Sequence, residues 1–414
     1  MNDEIKSKIV CMLTQYFYPD LPGTAKIAKD IALGLSKSGF IVKVYTGSPA
    51  YSSVNDTSEQ TFDKNIEVHR AYSPNLSRSG NLSRLINAFL VSLSLSFKLF
   101  FKKHHAIIVD STSPFLLTMT FFVSLLKKTP YIVIVHDVYP DIAIKLGVIS
   151  GNSPLALIWK NIYRMIYKRS SRIVVLGSSM KRIVAKNLNE STSDKLVIIP
   201  NWADASIKKP SVNEKMQFKK KLGFEDSFVV IYSGNMGLTH DIDTILKSAE
   251  RFSDIANIQY LLIGGGGKFN SVVEFVSKNK LNNVKILSYQ PEDVFPEYLA
   301  CADVSLVSLT LGMEGLSVPS KIYSSLAAGL PIIGILNESS EIATILNEGK
   351  CGYISTPGDV DMLVDTINIL YSDSSKIEKM GVNARREFEN KYSTDVGVSA
   401  HIDLLNKVLN ENNE

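Results

Sequence analysis

The sequence predicts an α/β protein with two doubly wound parallel sheets in tandem, and three observations support this. Short β-branched runs such as AIIVD and YIVIVHD alternate with helical stretches along most of the chain. These runs are apolar throughout rather than at every second position, which is typical of parallel strands buried on both faces. The same alternation restarts after a polar segment, which indicates a second domain.

The first domain is predicted over residues 1–202. It begins with the strand KIVCML, a helix over Thr24–Ser38 and the strand FIVKVYT. It continues with AIIVD, a helix, and YIVIVHD, and it ends with RIVVLGS, a helix from Ser178 and KLVIIPN. Residues 203–223 are polar and contain Pro210, so we expect the linker there.

The second domain, residues 224–375, repeats the pattern with the strands FVVIYSG, IQYLLIGGGG, NVKILS, ADVSLVS and PIIGIL. The helix VPSKIYSSLAAG is marked by Pro319 before it and by Gly329 after it. A charged helical tail, residues 376–414, closes the chain. Tandem sheets of this kind bind ligands beyond the carboxyl ends of their strands, so we expect the active site in an interdomain cleft.

Composition excludes several classes of protein. The 414 residues are 45% hydrophobic and 21% charged, which is typical of a globular protein. The segment MNDEIKSKIVCML lacks the basic start and the long apolar stretch of a secretory signal, so we expect a cytoplasmic protein. The three cysteines stand far apart and the histidines lack metal-binding spacing, which argues against a disulfide framework or a zinc site.

The net charge of +4 hides an excess of basic residues in the first half of the chain. They concentrate in residues 84–103, at Lys127 and Lys128, and in residues 160–186, which suggests an anionic partner. Nucleic acid is not expected, because these segments lack an aromatic RNA-binding motif and a helix-turn-helix pattern. An anionic lipid surface fits better.

Two apolar stretches, residues 85–97 and 115–126, are shorter than the ~20 residues that a membrane span requires. The first has basic residues on both sides, which is typical of an amphipathic helix at a membrane interface. A core helix with a solvated basic end is an equally good interpretation, and both stay open. The residues expected to contact the membrane are Arg84, Lys98, Lys102 and Lys103.

The helix VPSKIYSSLAAG should begin at the carboxyl edge of its sheet, with Ser320 and Lys321 at its start. Free backbone N–H groups and the helix dipole attract anions at such a position, and the lysine adds a positive charge. We therefore expect a diphosphate site here. A capped helix whose Lys321 points to solvent is the alternative.

With these motifs, the chain resembles retaining GT-B glycosyltransferases of the family 4 type, in which a Glu-containing loop leads into a helix ending in "AxG-P". The resemblance covers essentially the whole chain, including QYFYPDLPGTAKIAKD, VHDVYPDIAIKLGVI, LVIIPNWAD and IYSGNMGLTHDIDTILKSAE. It is strongest to bacterial O-antigen and capsule members, among them amino-deoxysugar transferases of the fucosamine type. It implies two Rossmann-like domains, a nucleotide-sugar donor and no metal cofactor.

The resemblance also implies roles for individual residues. His136 and Asp137 would position the donor sugar, and Glu314 would face it. The family's second acid falls on Ser324, whose hydroxyl can accept one ribose hydrogen bond but lacks a carboxylate's bidentate acceptance, a difference of about 1–2 kcal/mol. The other implied substrate-binding residues are Gly23, Asn235, Gly237, His240, Gly265 and Gly266; for His240, an exposed position at a helix start is an equally good interpretation.

Three other motifs suggest different chemistry and are rejected. LIGGGGKF fails both the dinucleotide pattern G-x-G-x-x-G and the P-loop pattern. The Asp-x-Asp strings at Asp241 and Asp359 are similar to a metal-diphosphate motif, but they stand where helices should begin, a position that favours carboxylates. No metal site is therefore expected.

Together these features predict a glycosyltransferase that moves a sugar from a nucleotide diphosphate, UDP by family resemblance, to a polyprenyl-diphosphate-linked or growing surface glycan. The acceptor would lie at the inner face of the cytoplasmic membrane. The start of the helix at Ser320, with Lys321, Asn235 and Gly23, would stabilise charge on the departing diphosphate. Three alternatives stay open: a nucleotide-sugar 2-epimerase of the same fold, a non-catalytic scaffold subunit and, least favoured, a nicotinamide dehydrogenase.

Overall fold

The computed structural model describes residues 8–20, 23–48, 63–71 and 81–412. The chain forms two compact units, of which the first comprises residues 1–200 with 395–414 and the second comprises residues 201–394. Each unit contains one parallel sheet with helices packed on it. The predicted α/β class with two doubly wound sheets is therefore confirmed.

The sheet of the first unit has seven strands in the described residues, in the order β3-β2-β1-β4-β5-β6-β7, and all pairs are parallel. The strands are β1 (Ile9–Thr14), β2 (Ile41–Thr46), β3 (Ile66–Arg70), β4 (Ala106–Asp110), β5 (Tyr131–Val135), β6 (Arg172–Val175) and β7 (Leu196–Ile198). Val10 pairs with Val42 on one side and with Ala106 on the other. The strand order therefore reverses between β1 and β4, which is where ligands bind in doubly wound sheets.

The helices of this unit begin where the sequence offers N-terminal signals. Pro114 and Pro154 stand at the first turns of two helices, and the Oγ of Ser153 accepts a hydrogen bond from the Ala156 N–H at 3.2 Å. The helices are α1 (Gly23–Lys37), α2 (Asn81–Phe100), α3 (Pro114–Lys127), α4 (Asp141–Lys145), α5 (Pro154–Arg169), α6 (Ser178–Lys186) and α7 (Glu190–Ser193).

The second unit has six strands, all parallel, in the order β10-β9-β8-β11-β12-β13. The strands are β8 (Phe228–Asn235), β9 (Ile258–Gly265), β10 (Val284–Leu287), β11 (Val304–Ser308), β12 (Ile332–Ile335) and β13 (Gly352–Ser355). The helices are α8 (Val212–Leu222), α9 (Asp243–Arg251), α10 (Phe269–Lys278), α11 (Phe295–Ala300), α12 (Lys321–Ala327), α13 (Glu341–Gly349), α14 (Val360–Tyr371) and α15 (Ser374–Glu387), followed by a π-helical turn at Phe388–Tyr392. The strand order reverses between β8 and β11.

The structure assigns the predicted linker and tail differently. The segment predicted as a linker contains α8, which begins with a capping box: Ser211 Oγ accepts from the Glu214 N–H at 3.3 Å, and the Glu214 carboxylate accepts from the Ser211 N–H at 2.8 Å. Lys219 of α8 donates to Asp303 at 2.7 Å, which ties this helix to the second unit. The polar composition that suggested a linker therefore belongs to a surface helix.

The predicted tail is divided between the two units. Its first part, α15 and the π-helical turn, belongs to the second unit, whereas α16 (Thr394–Glu411) packs almost entirely in the first. Val398 of α16 lies so close to α1 that a Cβ added to Gly34 would be 2.1 Å from its Cγ1. Arg172 and Glu411 form an ion pair between β6 and the end of α16.

Strands β8 and β9 pair through two glycines near their carboxyl ends. Gly234 pairs with Gly264, and a Cβ on Gly264 would lie 1.9 Å from the Gly234 carbonyl oxygen. Gly264 also has φ of +148°, which L side chains rarely adopt. Only glycine is compatible with this position.

Replacing Gly264 by Ala should lower the free energy of unfolding by at least about 2 kcal/mol, because the added methyl group forces the two strands apart. Urea denaturation of the purified protein measures this change. Gly267→Ala is the matched control, since nothing lies within 4 Å of its added Cβ, and its effect should stay within about 0.5 kcal/mol. Equal stabilities for the two variants would contradict the close approach.

Candidate functional site

The second unit brings several predicted substrate-binding residues together at the carboxyl edge of its sheet. Asn235 ends β8 and pairs with Gly265, which ends β9. The loops that follow are joined by two backbone hydrogen bonds, from the Met236 N–H to the Gly265 carbonyl at 2.6 Å and from the Lys268 N–H to the Met236 carbonyl at 2.8 Å. We call this group the β8–β9 edge; it comprises Asn235, Gly237, His240, Gly265, Gly266 and Lys268.

The side chain of Asn235 is exposed and lies between two glycines. A Cβ on Gly237 would be 2.8 Å from Asn235 Nδ2, and one on Gly266 would be 2.2 Å from Asn235 Oδ1. The missing side chains leave room for the amide, which can both donate and accept hydrogen bonds. The structure thus places Gly237 and Gly266 on either side of the exposed amide of Asn235.

His240 is buried, with 8% of its surface exposed, so the alternative of an exposed helix-start residue is wrong. Its Nδ1 lies 2.8 Å from the Ser308 carbonyl oxygen and therefore carries the proton, which leaves Nε2 as an acceptor. Burial, helped by the nearby charge of Lys321, lowers the pKa of His240 to about 3. The imidazole is therefore neutral at physiological pH.

Lys268 is a member of this edge that the sequence reasoning missed. Its amine donates to the His240 carbonyl at 3.0 Å and lies 3.7 Å from Asp243 Oδ2. The motif GGGGKF indicated Gly265 and Gly266 as substrate-binding residues, but its lysine was not among the predicted residues. Lys268 therefore places an amine beside the loop that follows β8.

Lys321 occupies an unexpected environment. Only 8% of its surface is exposed, and its amine lies 3.6 Å from the centre of the Tyr232 ring and donates to the Tyr232 hydroxyl. Burial lowers the pKa of Lys321 well below its usual value. The alternative that it points to solvent is wrong, and a direct contact with diphosphate stays a prediction. The Tyr232 hydroxyl in turn donates to the Asn235 carbonyl at 2.8 Å.

The start of α12 differs in detail from the prediction. The helix has seven residues, and Ser320 before it is exposed, has helical backbone angles (φ −65°, ψ −18°) and makes no side-chain cap. In the preceding loop, Glu314 is partly buried and its Oε1 accepts from the Gly312 N–H at 2.9 Å. The expected orientation of Glu314 towards a sugar stays a prediction.

Ser324 stands at the one position of α12 that is not buried. Its hydroxyl donates to the Lys321 carbonyl at 3.1 Å, one turn back in the helix. The position where the resembled family carries its second acid is thus accessible here. To bind a ribose, the Ser324 hydroxyl would either break its hydrogen bond to the Lys321 carbonyl or accept a second hydrogen bond while it donates the first.

In the first unit, Gly23, His136 and Asp137 all lie at the carboxyl edge of the sheet. Gly23 is exposed and begins α1, and the two polar residues follow β5 directly. Ser111, at the end of β4, holds them: its Oγ accepts from the His136 N–H at 2.9 Å and from the Asp137 N–H at 3.3 Å. The structure therefore fixes the backbone of this predicted pair.

The side chain of His136 is buried, with 7% exposed, and lines a small cavity with Thr14 and Asp110. Its Nδ1 makes no hydrogen bond to any residue that the structure describes. Burial lowers the pKa of His136, and the carboxylates of Asp110 and Asp137 oppose this effect. Such a nitrogen can donate or accept one hydrogen bond with a bound ligand.

The predicted membrane residues lie on and after α2. Lys102 and Lys103 are exposed, and the amine of Lys98, also exposed, donates to the Arg70 carbonyl at 3.1 Å. The side chain of Arg84 lies outside the described residues. None of the helices that the structure describes is both long enough and apolar enough to cross a membrane.

Both Asp-x-Asp strings stand at helix starts, as predicted. Asp241 accepts from the Thr244 N–H at 3.1 Å and from the Thr244 hydroxyl at 2.6 Å, and Asp359 accepts from the Met362 N–H at 2.9 Å. Among the described residues, no three His, Cys, Asp or Glu side chains are grouped as metal ligands. Metal independence of the reaction stays a prediction.

Two family models match successive parts of the chain. Residues 22–207 match "Glycosyltransferase Family 4", and residues 214–387 match "Glycosyl transferases group 1". "Probable glycosyltransferase WbjE" of Pseudomonas aeruginosa is 27% identical over 339 residues, which cover 80% of this chain and 82% of that protein.

Two further relatives match at lower coverage. The capsular polysaccharide biosynthesis glycosyltransferase CapM of Staphylococcus aureus is 24% identical over 54% of this chain and 58% of its own. The UDP-N-acetylglucosamine–N-acetylmuramyl-(pentapeptide) pyrophosphoryl-undecaprenol N-acetylglucosamine transferase of Oenococcus oeni is 24% identical over 65% of this chain and 74% of its own.

Solved structures share the fold at low identity. Sucrose-phosphate synthase from Thermosynechococcus elongatus superposes with a TM-score of 0.76 at 14% identity, covering 98% of this chain and 100% of that one. Anabaena Alr3699/HepE in complex with UDP gives a TM-score of 0.72 at 15% identity, covering 97% and 100%.

The buried neutral state of His240 predicts a pH dependence of stability. The unfolded chain binds a proton at this residue below about pH 6.5, whereas the folded chain does so only near pH 3, so stability falls as the pH is lowered between these values. His240→Asn keeps a donor for the Ser308 carbonyl but removes the titration. Between pH 7 and pH 5, wild type should lose about 2 kcal/mol more than the variant in urea denaturation. Parallel losses would contradict the assignment, since other histidines titrate in both proteins.

Proposed function

The two family-model matches make the chain a GT-B glycosyltransferase of the group 1 and family 4 type, and on that premise we propose the reaction that it catalyses. It transfers a sugar, with retention of configuration, from a UDP-sugar to a lipid-linked or growing surface polysaccharide. An amino-deoxysugar of the fucosamine type is the proposed donor sugar, which follows from the sequence resemblance alone.

The β8–β9 edge is the observation that carries this proposal. It combines an exposed amide at Asn235, glycine-lined loops, the neutral imidazole of His240 and the cationic amine of Lys268. This edge lies at the carboxyl ends of parallel strands beside the reversal of strand order, where such sheets bind nucleotides. A ligand with a diphosphate group and hydrogen-bonding hydroxyls suits these groups.

Catalysis in this proposal consists mainly of stabilising the departing diphosphate. The Asn235 amide, the backbone N–H groups of the glycine loops and the amine of Lys268 donate to phosphate oxygens as negative charge accumulates there. No metal ion is then required, and Ser320 and Gly23 offer further backbone N–H groups. Lys321 supports this edge through the Tyr232 hydroxyl, which holds the Asn235 carbonyl, and its direct contact with the diphosphate remains part of the proposal.

The remaining predicted residues position the sugars. Glu314 orients donor hydroxyl groups, Ser324 meets the ribose, and His136 with Asp137 positions the donor sugar. Attack occurs on the face that the leaving phosphate vacates, so no protein nucleophile is assigned. The neutral His136 supports this role, because its Nδ1 has no partner among the described residues and can hydrogen-bond to a sugar hydroxyl.

The names of the relatives support the acceptor class. One relative transfers N-acetylglucosamine to an undecaprenyl pyrophosphoryl substrate, and another acts in capsular polysaccharide biosynthesis. We propose a polyprenyl-diphosphate-linked glycan as the acceptor, met at the inner face of the cytoplasmic membrane.

Purified protein should bind UDP without divalent metal, and Lys268→Ala should weaken this binding about tenfold through loss of one charge-assisted hydrogen bond. Isothermal titration calorimetry with UDP and GDP measures both affinities. The control is Lys278→Ala, an exposed lysine at the end of α10, which should leave affinity unchanged. If neither nucleotide binds, the scaffold alternative is favoured; equal effects of the two substitutions would place the phosphates elsewhere.

Incubation with a UDP-sugar and membrane-extracted acceptor should yield a product whose anomeric configuration matches that of the donor, as read from the anomeric proton coupling by NMR. Without acceptor, the UDP-sugar should keep its configuration at C2. Inversion at the anomeric carbon would contradict retention, and conversion of the free UDP-sugar would favour the epimerase alternative.

A further inference from the structure

Helices α2, α3 and α5 of the first unit carry basic residues and no acidic ones. Residues 81–103, 114–128 and 154–169, which contain α2, α3 and α5, include ten Lys and Arg and no Asp or Glu. A solvated surface normally mixes both signs of charge. The bias is therefore a property of these helices as a group, which we call the three-helix face.

The same helices expose large apolar side chains. On α2, the exposed residues include Ile86, Leu90, Leu93 and Phe97, spaced as one stripe along a helix, and Phe97 has 67% of its surface exposed. Opposite this stripe, α2 packs into the unit through Val91, Leu95 and Leu99. The helix is thus both part of the core and amphipathic at the surface, so the two interpretations of its sequence are compatible.

The other two helices extend this apolar surface. On α3, Phe122, Leu125 and Leu126 are exposed, and Leu126 reaches 69%. On α5, the exposed apolar residues are Leu155, Leu157, Ile158 and Met165. Large apolar side chains exposed in such number on neighbouring helices indicate an interaction surface.

The three helices are neighbours in the first unit. Helix α3 packs against both α2 and α5. The amine of Lys127, at the end of α3, donates to the Lys102 carbonyl just after α2 at 3.1 Å, and the Arg169 guanidinium of α5 donates to the Ser124 carbonyl of α3 at 3.4 Å. The basic ends of the helices are thereby held side by side.

We infer that the three-helix face docks on an anionic lipid bilayer, with its apolar side chains inserted at the level of the headgroups and its basic residues bound to lipid phosphates. A second copy of the chain fits less well, because two such faces would bring like charges together. A nucleic acid would leave the apolar residues in contact with water. Lipid alone satisfies both the charge and the apolar surface.

The role of the membrane in presenting the acceptor rests on the proposed function. The docking face is inferred independently, from the exposure and the charge of its residues. Helices α3 and α5 follow strands of a parallel sheet, so they begin at its carboxyl edge, where Gly23 and His136 lie. A membrane along the three-helix face would therefore run past that edge. A lipid-linked acceptor could then reach it without leaving the bilayer.

Vesicle flotation with the full chain tests the inference. Wild type should float with vesicles of phosphatidylglycerol and phosphatidylcholine, and at least tenfold less with phosphatidylcholine alone. Raising the salt concentration should weaken binding only in part, because the apolar contacts are not screened. Absence of binding to the anionic vesicles would overturn the inference.

Two sets of variants separate the apolar and the electrostatic contributions. Phe97→Ser with Leu126→Ser should reduce binding to anionic vesicles at least tenfold at every salt concentration. Lys102→Glu with Lys103→Glu should also reduce binding to anionic vesicles at least tenfold at low salt, and by a smaller factor at high salt, where charges are screened. Matched controls on exposed residues of the second unit, Val212→Ser with Met216→Ser and Lys247→Glu with Lys278→Glu, should bind as wild type does.

UDP binding and thermal unfolding of each variant distinguish the possible failures. Unchanged UDP binding with lost flotation supports the docking face, whether or not sugar transfer is observed. Flotation of Phe97→Ser with Leu126→Ser equal to that of wild type would overturn it. A wild-type dimer in sedimentation that this variant abolishes, without vesicle binding by wild type, would assign the face to a second copy instead.

Discussion

The structure depends on the burial of its parallel strands on both faces. Strands β4, β5 and β11 are buried at every position, so their side chains are mostly apolar and their backbones hydrogen-bond to neighbouring strands. Polar side chains can then be accommodated mainly at the strand ends. Asp110, His136 and Asn235 all lie at such ends, and this is why the candidate site is located at the carboxyl edges.

Burial also determines the charge of the ionisable groups at and near the β8–β9 edge. Burial lowers the pKa of both His240 and Lys321, so His240 stays neutral even well below pH 7 and the ammonium form of Lys321 is disfavoured. The amine of Lys268 is partly exposed and lies beside them. An anion bound here would be held by oriented N–H groups more than by a cluster of charges, which provides electrostatic stabilisation without the cost of placing several like charges together.

Most strands could be predicted because a fully apolar run of β-branched residues is too short to form a buried helix and too apolar to form an exposed loop. Helix starts were predictable where a capping residue or proline stood before the run, as at Asp359 and Pro114. The short β3 escaped because its sequence IEVHR is mixed and only its first residue is buried. Helix α8 was taken for a linker because its surface is polar, although Ser211 and Glu214 form a recognisable capping box.

The site was predicted in its location but not in its side-chain geometry. Glycines and Asn235 could be assigned from the motif, since their positions follow from the end of a strand. The direction of Lys321 could not, because it depends on Tyr232, which lies 89 residues earlier in the sequence. His240 likewise bonds to Ser308, 68 residues away. Such contacts exist only after the strands have been placed side by side.

The placement of α16 has a consequence for the order in which the chain folds during synthesis. The second unit is inserted between residue 200 and residue 395, so the ribosome completes it before the last helix of the first unit is made. Until then, the surface of α1 around Gly34 lacks Val398 and Ile402, which pack against it in the complete chain. The first unit therefore begins to be synthesised before the second unit but is completed after it. While the second unit folds, the nascent first unit has to stay soluble without α16 packed on α1.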